Sequence, residues 1–120
     1  MNIISWNCRG LGSVKRITEV KSLISKERPE VTLLQETKMD EESINSIKHK
    51  FWNTTKIEIF SSKRASEDLC TFWNLAKLNL VITLKTMHWI VIIFNKIEKH
   101  QLFIVINVYM PTHFRENQEC

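Results

Sequence analysis

Apolar and polar residues follow a strand, helix, strand pattern over the first third of this 120-residue chain. Residues 2–7 are an apolar run that predicts a buried strand, and residues 31–35 predict a second one. Between them, apolar residues recur at helical spacing at Val14, Ile17, Val20, Leu23 and Ile24. Pro29 disfavours the helical conformation at the residue before it and should end this helix. A right-handed crossover with two parallel strands is the expected arrangement.

Beyond residue 40 the pattern continues with one more helix and then changes to strands. Asp40 is expected to begin the helix, whose buried stripe is Ile44, Ile47 and Phe51. The following strands are predicted from residue 56 and at 69–73, 78–84, 89–94 and 102–109, with 95–100 as a hairpin loop. Leu78, Leu80, Ile82 and Leu84 alternate with other residues, as expected for a half-buried strand. The pattern predicts an α+β fold of the sandwich type, with a mixed sheet that carries helices on one face.

Composition is ordinary for one globular domain, which the whole of residues 1–120 is expected to form. The chain is 43% hydrophobic and 25% charged. Lys plus Arg number 17 against 13 for Asp plus Glu, a net charge of +4 with a pI of about 9.1. This balance favours polyanionic partners only weakly, because many basic proteins never bind nucleic acid.

Cysteine usage and the N-terminus predict an intracellular protein. The cysteines are Cys8, Cys70 and Cys120, an odd number without the spacing of a zinc site or a disulfide framework. A strand-like segment follows Met1 directly, so no signal peptide is expected, and the apolar run 89–94 is too short to span a bilayer. We therefore expect no secretion and no membrane partner, and a nuclear location is compatible with the chain.

Two polar residues at the predicted strand ends are suited to phosphate or metal chemistry. Asn7 ends the first strand and Glu36 follows the second, so parallel pairing would bring them to one edge of the sheet, where α/β proteins usually bind ligands. A glutamate carboxylate is a hard oxygen donor that suits Mg²⁺, which keeps several waters and needs few protein ligands. The alternatives are a surface carboxylate at Glu36 and, at Asn7, a turn residue that satisfies its own loop backbone.

Three motifs carry a resemblance to a known family. They are Trp-Asn-Cys-Arg-Gly at residues 6–10, Leu-Gln-Glu-Thr-Lys at 34–38 and Asn-Val-Tyr-Met-Pro at 107–111. Together they resemble the endonuclease/exonuclease/phosphatase superfamily, and especially the apurinic-type endonuclease of plant LINE-type (non-LTR) retrotransposons. The resemblance implies two packed sheets with helices outside. Each half of the domain would build one of the two sheets. This chain matches only the N-terminal half of such a domain.

The resemblance also implies the roles of individual residues. Asn7, Glu36 and Tyr109 would be catalytic, and Glu36 with Asn7 would hold Mg²⁺ or Mn²⁺. Arg9 and Lys38 lie just beyond the first two and could contact the phosphate backbone of DNA without reading sequence. Solvated loop charge is an equally good interpretation of these two cations.

Three departures from the family pattern bear on activity. Ser66, Glu67 and Asp68 stand where the family usually has a glycine pair, and Met110 replaces another glycine. The Asp-x-Asn and terminal Asp-His motifs of the family's second half have no equivalent in residues 1–120. The resemblance therefore implies a truncated, weakly active or inactive relative of a Mg²⁺-dependent DNA endonuclease. The alternatives are a non-catalytic module that binds nucleic acid or protein, and a phosphatase of the same superfamily.

Overall fold

A computed structural model describes residues 2–50, 55–60, 69–86 and 88–108. The helices and strands alternate first, and the later elements are all strands. In chain order they are β1 (Ile3–Asn7), α1 (Val14–Glu27), β2 (Val31–Gln35), α2 (Glu41–Ile47) with a 3₁₀ turn (Lys48–Lys50), β3 (Thr55–Phe60), β4 (Leu69–Asn74), β5 (Leu78–Lys85), β6 (Trp89–Lys96) and β7 (Gln101–Val108). None of the helices in these residues is both long and apolar enough to cross a membrane.

The first sheet contains the strand, helix, strand unit that the sequence predicts. Its described strands lie in the order β1-β2-β4-β3. β1 and β2 are parallel, and their register runs from Ile3 opposite Val31 to Asn7 opposite Gln35. β4 is antiparallel to both β2 and β3, so the sheet is mixed, as predicted.

Both helices begin at side chains that cap them and pack on one face of the first sheet. The Ser13 hydroxyl accepts from the Arg16 N–H (3.1 Å), and the Asp40 carboxylate accepts from the Ser43 N–H (2.7 Å). Such caps satisfy backbone donors that would otherwise lack partners. The buried side chains of this layer include Val20, Ile24, Leu34, Ile44, Cys70 and Phe72. Val14 was predicted on the buried stripe, but as the first helical residue it remains 82% exposed.

A second sheet, with the strand order β5-β6-β7, packs on the other face of the first. The core between the sheets contains Val31, Leu33, Leu69, Trp73, Leu78, Ile90, Ile92, Phe94 and Val105. The rings of Trp73 and Phe94 meet edge to face, with centroids 5.1 Å apart. The α+β class is confirmed. The resemblance implied that each half of the domain builds one sheet, so that this chain would contain a single sheet. That expectation is wrong, because residues 78–108 form a separate antiparallel sheet within this chain.

The outer face of this second sheet is apolar and exposed. A bulge between Leu80 and Ile82 shifts the register of β5 against β6, and Ile82 then pairs with Ile93. Directly paired residues lie on the same face of a sheet. Two rows, Ile82–Ile93–Ile104 and Leu84–Val91–Ile106, therefore cross the three strands side by side. The sequence predicted burial for Leu80, Ile82 and Leu84, but each is between 43% and 58% exposed. We call the two rows the outer apolar face.

Candidate functional site at the ends of β1 and β2

The loops after β1 and β2 are held together by backbone hydrogen bonds. The Cys8 N–H donates to the Gln35 carbonyl (2.9 Å), and the Gly10 N–H donates to the Glu36 carbonyl (2.7 Å). A third bond joins the Leu11 N–H to the Thr37 carbonyl (2.8 Å). The parallel pairing thus continues past the strands, and it places Glu36 beside the loop that follows Asn7. The predicted parallel pairing of the two strands is confirmed. A shared cleft for the Asn7 and Glu36 side chains stays a prediction.

Three of the four candidate residues in these loops have left-handed backbone conformations. Arg9, Glu36 and Lys38 have φ values of 52°, 53° and 53°. Such a conformation costs a residue with a side chain about 1–3 kcal/mol, and it persists only where the surroundings impose it. Gly10 also has a positive φ, where its lack of a Cβ removes the penalty. Backbone strain of this kind concentrates at functional sites, which favours a functional role for the two loops.

Asn7 stabilises the turn of its own loop, which the sequence offered as the alternative to ligand binding. Its Oδ1 accepts a hydrogen bond from the Arg9 N–H (3.1 Å). A carbonyl oxygen has two lone pairs, and the amide nitrogen carries two hydrogens, so this contact uses only part of the side chain. The contact fixes the orientation of the exposed Asn7 amide. Ligand binding and the turn role are therefore compatible.

The thiol of Cys8 is unreactive, although it lies in the loop that follows β1. Burial raises the pKa of Cys8 from its ordinary value of 9.0 to about 12, while the Arg16 guanidinium opposes the shift and the Glu36 carboxylate adds to it. The thiolate is the nucleophilic and metal-binding form, so Cys8 is protonated and inert at neutral pH.

A buried polar cluster lies between the two sheets directly behind Glu36. The Gln35 Nε2 donates to the Asn107 Oδ1 (2.8 Å) and to the Ser5 Oγ (3.1 Å). The Asn107 Nδ2 lies within hydrogen-bonding distance of the Leu34 and Cys70 carbonyls and of the Thr71 Oγ1. Sequence reasoning quoted Asn107 within a motif but gave it no role. The signal was an amide side chain within the otherwise apolar run of residues 102–108.

Tyr109 lies outside the described residues, so its predicted place in the site stays a prediction. β7 ends at Val108, and the hydrogen bond between Asn107 and Gln35 brings this part of β7 to the end of β2. The glycine replacements at residues 66–68 and at Met110 also lie outside the described residues.

The donor set at the strand ends is compatible with magnesium and does not resemble a zinc site. No cluster of three or more His, Cys, Asp or Glu residues occurs in the described part of the chain. Glu36 supplies one carboxylate, and Asn7 supplies an amide oxygen at the end of the adjoining strand. Mg²⁺ is commonly held by one or two carboxylates together with water and substrate phosphate. The residues present fit that mode of binding.

The described residues form a two-sheet sandwich of the α+β class, with polar residues at the ends of the parallel strands β1 and β2. The sequence pattern of the Endonuclease/Exonuclease/phosphatase family matches residues 4–97, which is most of the chain. The chain belongs to this family. The match includes both strand-end motifs and, among the strands of the described residues, β1 from its second residue and the whole of β2 to β6.

Solved structures of several enzymes share the fold at low sequence identity. ANGEL2, a 2′,3′-cyclic phosphatase, has a TM-score of 0.70 and 12% identity, covering 92% of this chain and 40% of its own. The AP endonuclease LMAP from Leishmania major has a TM-score of 0.68 and 16% identity, with the same coverage. The endonuclease domain of TRAS1, a telomere-specific non-LTR retrotransposon, has a TM-score of 0.62 and 10% identity, covering 98% and 51%.

These similarities establish the fold, and the chain spans about half the length of the solved chains it resembles. No curated protein matches the sequence.

Proposed function

We propose that the chain supplies the Glu36 part of a Mg²⁺-dependent phosphodiesterase site, of the kind found in retrotransposon DNA endonucleases. The observation that supports the proposal is the pairing of the loops after β1 and β2, in which the Gly10 N–H donates to the Glu36 carbonyl. Both loops are strained at the residues that family resemblance assigns to the site. Backbone hydrogen bonds thus join two motifs that are separate in the sequence.

Each residue has a distinct role in this proposal. Glu36 holds Mg²⁺, with Asn7 beside it, and Mn²⁺ can replace Mg²⁺. When bound, the metal would stabilise negative charge that develops on the phosphoryl oxygens during attack by water. The Asn7 amide and the Tyr109 phenol donate hydrogen bonds to the same oxygens. Arg9 and Lys38 attract the DNA backbone and set its register.

The groups that orient and activate water belong to motifs with no equivalent in residues 1–120. The 120-residue chain alone should therefore not nick DNA. Loss of orientation removes a large part of an enzyme's rate, and loss of a general base costs a further factor of about 10²–10⁴. Fusion to the second half of a related endonuclease should restore some activity, because it supplies the groups that orient and activate water.

Nicking of supercoiled plasmid tests the proposal. The fused protein should nick plasmid in the presence of Mg²⁺, and Glu36→Gln should abolish the reaction. Glu27→Gln removes the same charge from the exposed end of α1 and should leave nicking unchanged. Nicking that survives Glu36→Gln, or robust nicking by the unfused chain, would contradict the assignment of Glu36 or of the missing groups.

A second candidate function is a binding module without catalysis. The outer apolar face favours it, because contiguous exposed apolar surface often marks a protein interaction site. Tight binding of DNA or of a protein partner by a fused chain that never nicks would support this alternative.

A phosphatase of the same fold, as the likeness to ANGEL2 suggests, would instead release phosphate from small phosphorylated substrates in the same assay buffer.

A further inference from the structure

We infer that Asn107 is a positioning residue for Glu36 and acts by holding the side chain of Gln35 between the two sheets. Asn107 lies on β7 in the second sheet and is only 1% exposed. All the partners that its side chain contacts lie on β2 and β4 in the first sheet. The inference rests on the proposed function for its metal-binding consequence, and on contacts alone for its structural consequence.

The geometry of the Asn107 amide leaves it little freedom. Its Oδ1 accepts from the Gln35 Nε2 at 2.8 Å, while three acceptors surround its Nδ2 at 3.1 to 3.2 Å. An amide nitrogen carries two hydrogens, so the three acceptors share them. Because both ends of the amide are engaged, a flip of the group would break contacts on both sides.

Gln35 transmits this constraint to the candidate site. Its Nε2 uses both hydrogens, one toward Asn107 and one toward the Ser5 Oγ (3.1 Å). Gln35 is the last residue of β2, and the backbone of Glu36 turns immediately into the left-handed region. Fixing Gln35 from two sides fixes the point at which the chain leaves the sheet, and with it the backbone from which the Glu36 side chain extends.

A purely structural role for Asn107 would be to join the two sheets. That role predicts that any loss of hydrogen bonds in the cluster lowers stability to a similar extent and leaves Glu36 unaffected. Thr71 offers a matched control, because its Oγ1 is a partner of Asn107 in the same cluster and it is equally buried. Thr71→Val removes that partner and leaves the hydrogen bond between Gln35 and Asn107 in place.

The Gly10 amide reports the position of Glu36 without any metal, because its N–H donates to the Glu36 carbonyl at 2.7 Å. We expect Asn107→Leu in the 120-residue chain to speed Gly10 amide exchange, relative to global unfolding, by about tenfold or more. Thr71→Val should not do so. Where Asn107→Leu does not fold, Gln35→Met removes the other end of the same bond and should give the same result. Unchanged Gly10 exchange in the variant that folds would overturn the inference.

Titration with Mn²⁺ alone gives the functional readout. Second-layer partners of metal ligands typically change affinity by about 10- to 100-fold, and we expect Asn107→Leu or Gln35→Met to weaken Mn²⁺ binding by that range. Thr71→Val should leave binding unchanged. If the unmodified chain and Glu36→Gln bind Mn²⁺ equally, the proposed function fails, and the exchange measurement still decides whether Asn107 positions Glu36.

Discussion

Asn7 and Gln35 lie directly opposite each other in the last register pair of two parallel strands. The consequence is local: the residues that follow each of them are joined by backbone hydrogen bonds, and Glu36 comes to lie beside the loop of Arg9 and Gly10. A shift of one residue in this register would turn Gln35 away from the core between the sheets. Its bond to Asn107 would then be lost, so the register and the buried cluster support each other.

The left-handed residues Arg9 and Arg28 allow the effect of the site loop to be separated from the general effects of charge and backbone strain. Replacing Arg9 with glycine should relieve a strained φ while removing a cation from the candidate DNA-binding surface. Arg28→Gly makes the same change at φ 48°, at the end of α1, outside the two site loops. We expect both variants to gain up to about 1 kcal/mol in the free energy of unfolding, because glycine adopts this conformation without a steric penalty.

Only Arg9→Gly should weaken binding of a short DNA duplex, and the loss should shrink as salt rises, since it comes from phosphate contact. Fluorescence anisotropy at two salt concentrations measures both effects. Equal loss of affinity in the Arg9 and Arg28 variants would indicate general charge attraction and no local DNA site.

The outer apolar face predicts self-association of the isolated chain. Ile104 lies at the β7 end of one row and is 68% exposed, so Ile104→Lys should cost little in folding free energy. It places a charge within the outer apolar face and should shift the protein toward monomer in light scattering. Gln101→Lys adds the same charge at an exposed position at the start of β7 and should leave association unchanged. A monodisperse unmodified monomer with a sharp cooperative melt would contradict the prediction.

The raised pKa of Cys8 predicts a loss of stability in alkali. A buried acid with a raised pKa stays protonated in the folded chain and ionises more readily in the unfolded chain. Its contribution is therefore complete below pH 9.0 and is lost as the pH rises toward about 12. The expected slope is about 1.4 kcal/mol per pH unit within that window.

Urea unfolding at several pH values measures this slope, with Cys8→Ala as the reference, because other groups titrate in both proteins. The stability difference between the two proteins should fall above pH 9.0. A difference that stays constant with pH would show that the thiol is not held protonated by burial.

Local pattern was sufficient to predict β1, α1, β2 and their parallel pairing. Helical spacing and Pro29 define α1, and a crossover between two apolar strands leaves few alternatives. The separate second sheet could not be predicted in this way, because alternating apolar residues do not specify which strands pair. Ile82 and Leu84 show this directly: their pattern indicated burial, yet the bulge in β5 places them on the outer face.

The candidate site was predictable in its residues but not in its geometry. Asn7 and Glu36 were recognisable as strand-end polar residues within motifs. The left-handed conformations of Glu36 and Lys38 were not, since nothing in their chemistry favours a positive φ. The bond between Gln35 and Asn107 joins residues 72 positions apart and depends on how the two sheets pack. Such contacts are decided by tertiary structure.

In the proposed site, Glu36 holds a divalent metal at the ends of β1 and β2. The most direct measurement is paramagnetic broadening of backbone amide signals by substoichiometric Mn²⁺ in the 120-residue chain. We predict selective broadening at residues 7–10 and 36–38, absent in Glu36→Gln and unchanged in Glu27→Gln. Broadening that survives Glu36→Gln, or that centres on the acidic start of α2 at Asp40 and Glu42, would contradict the claim.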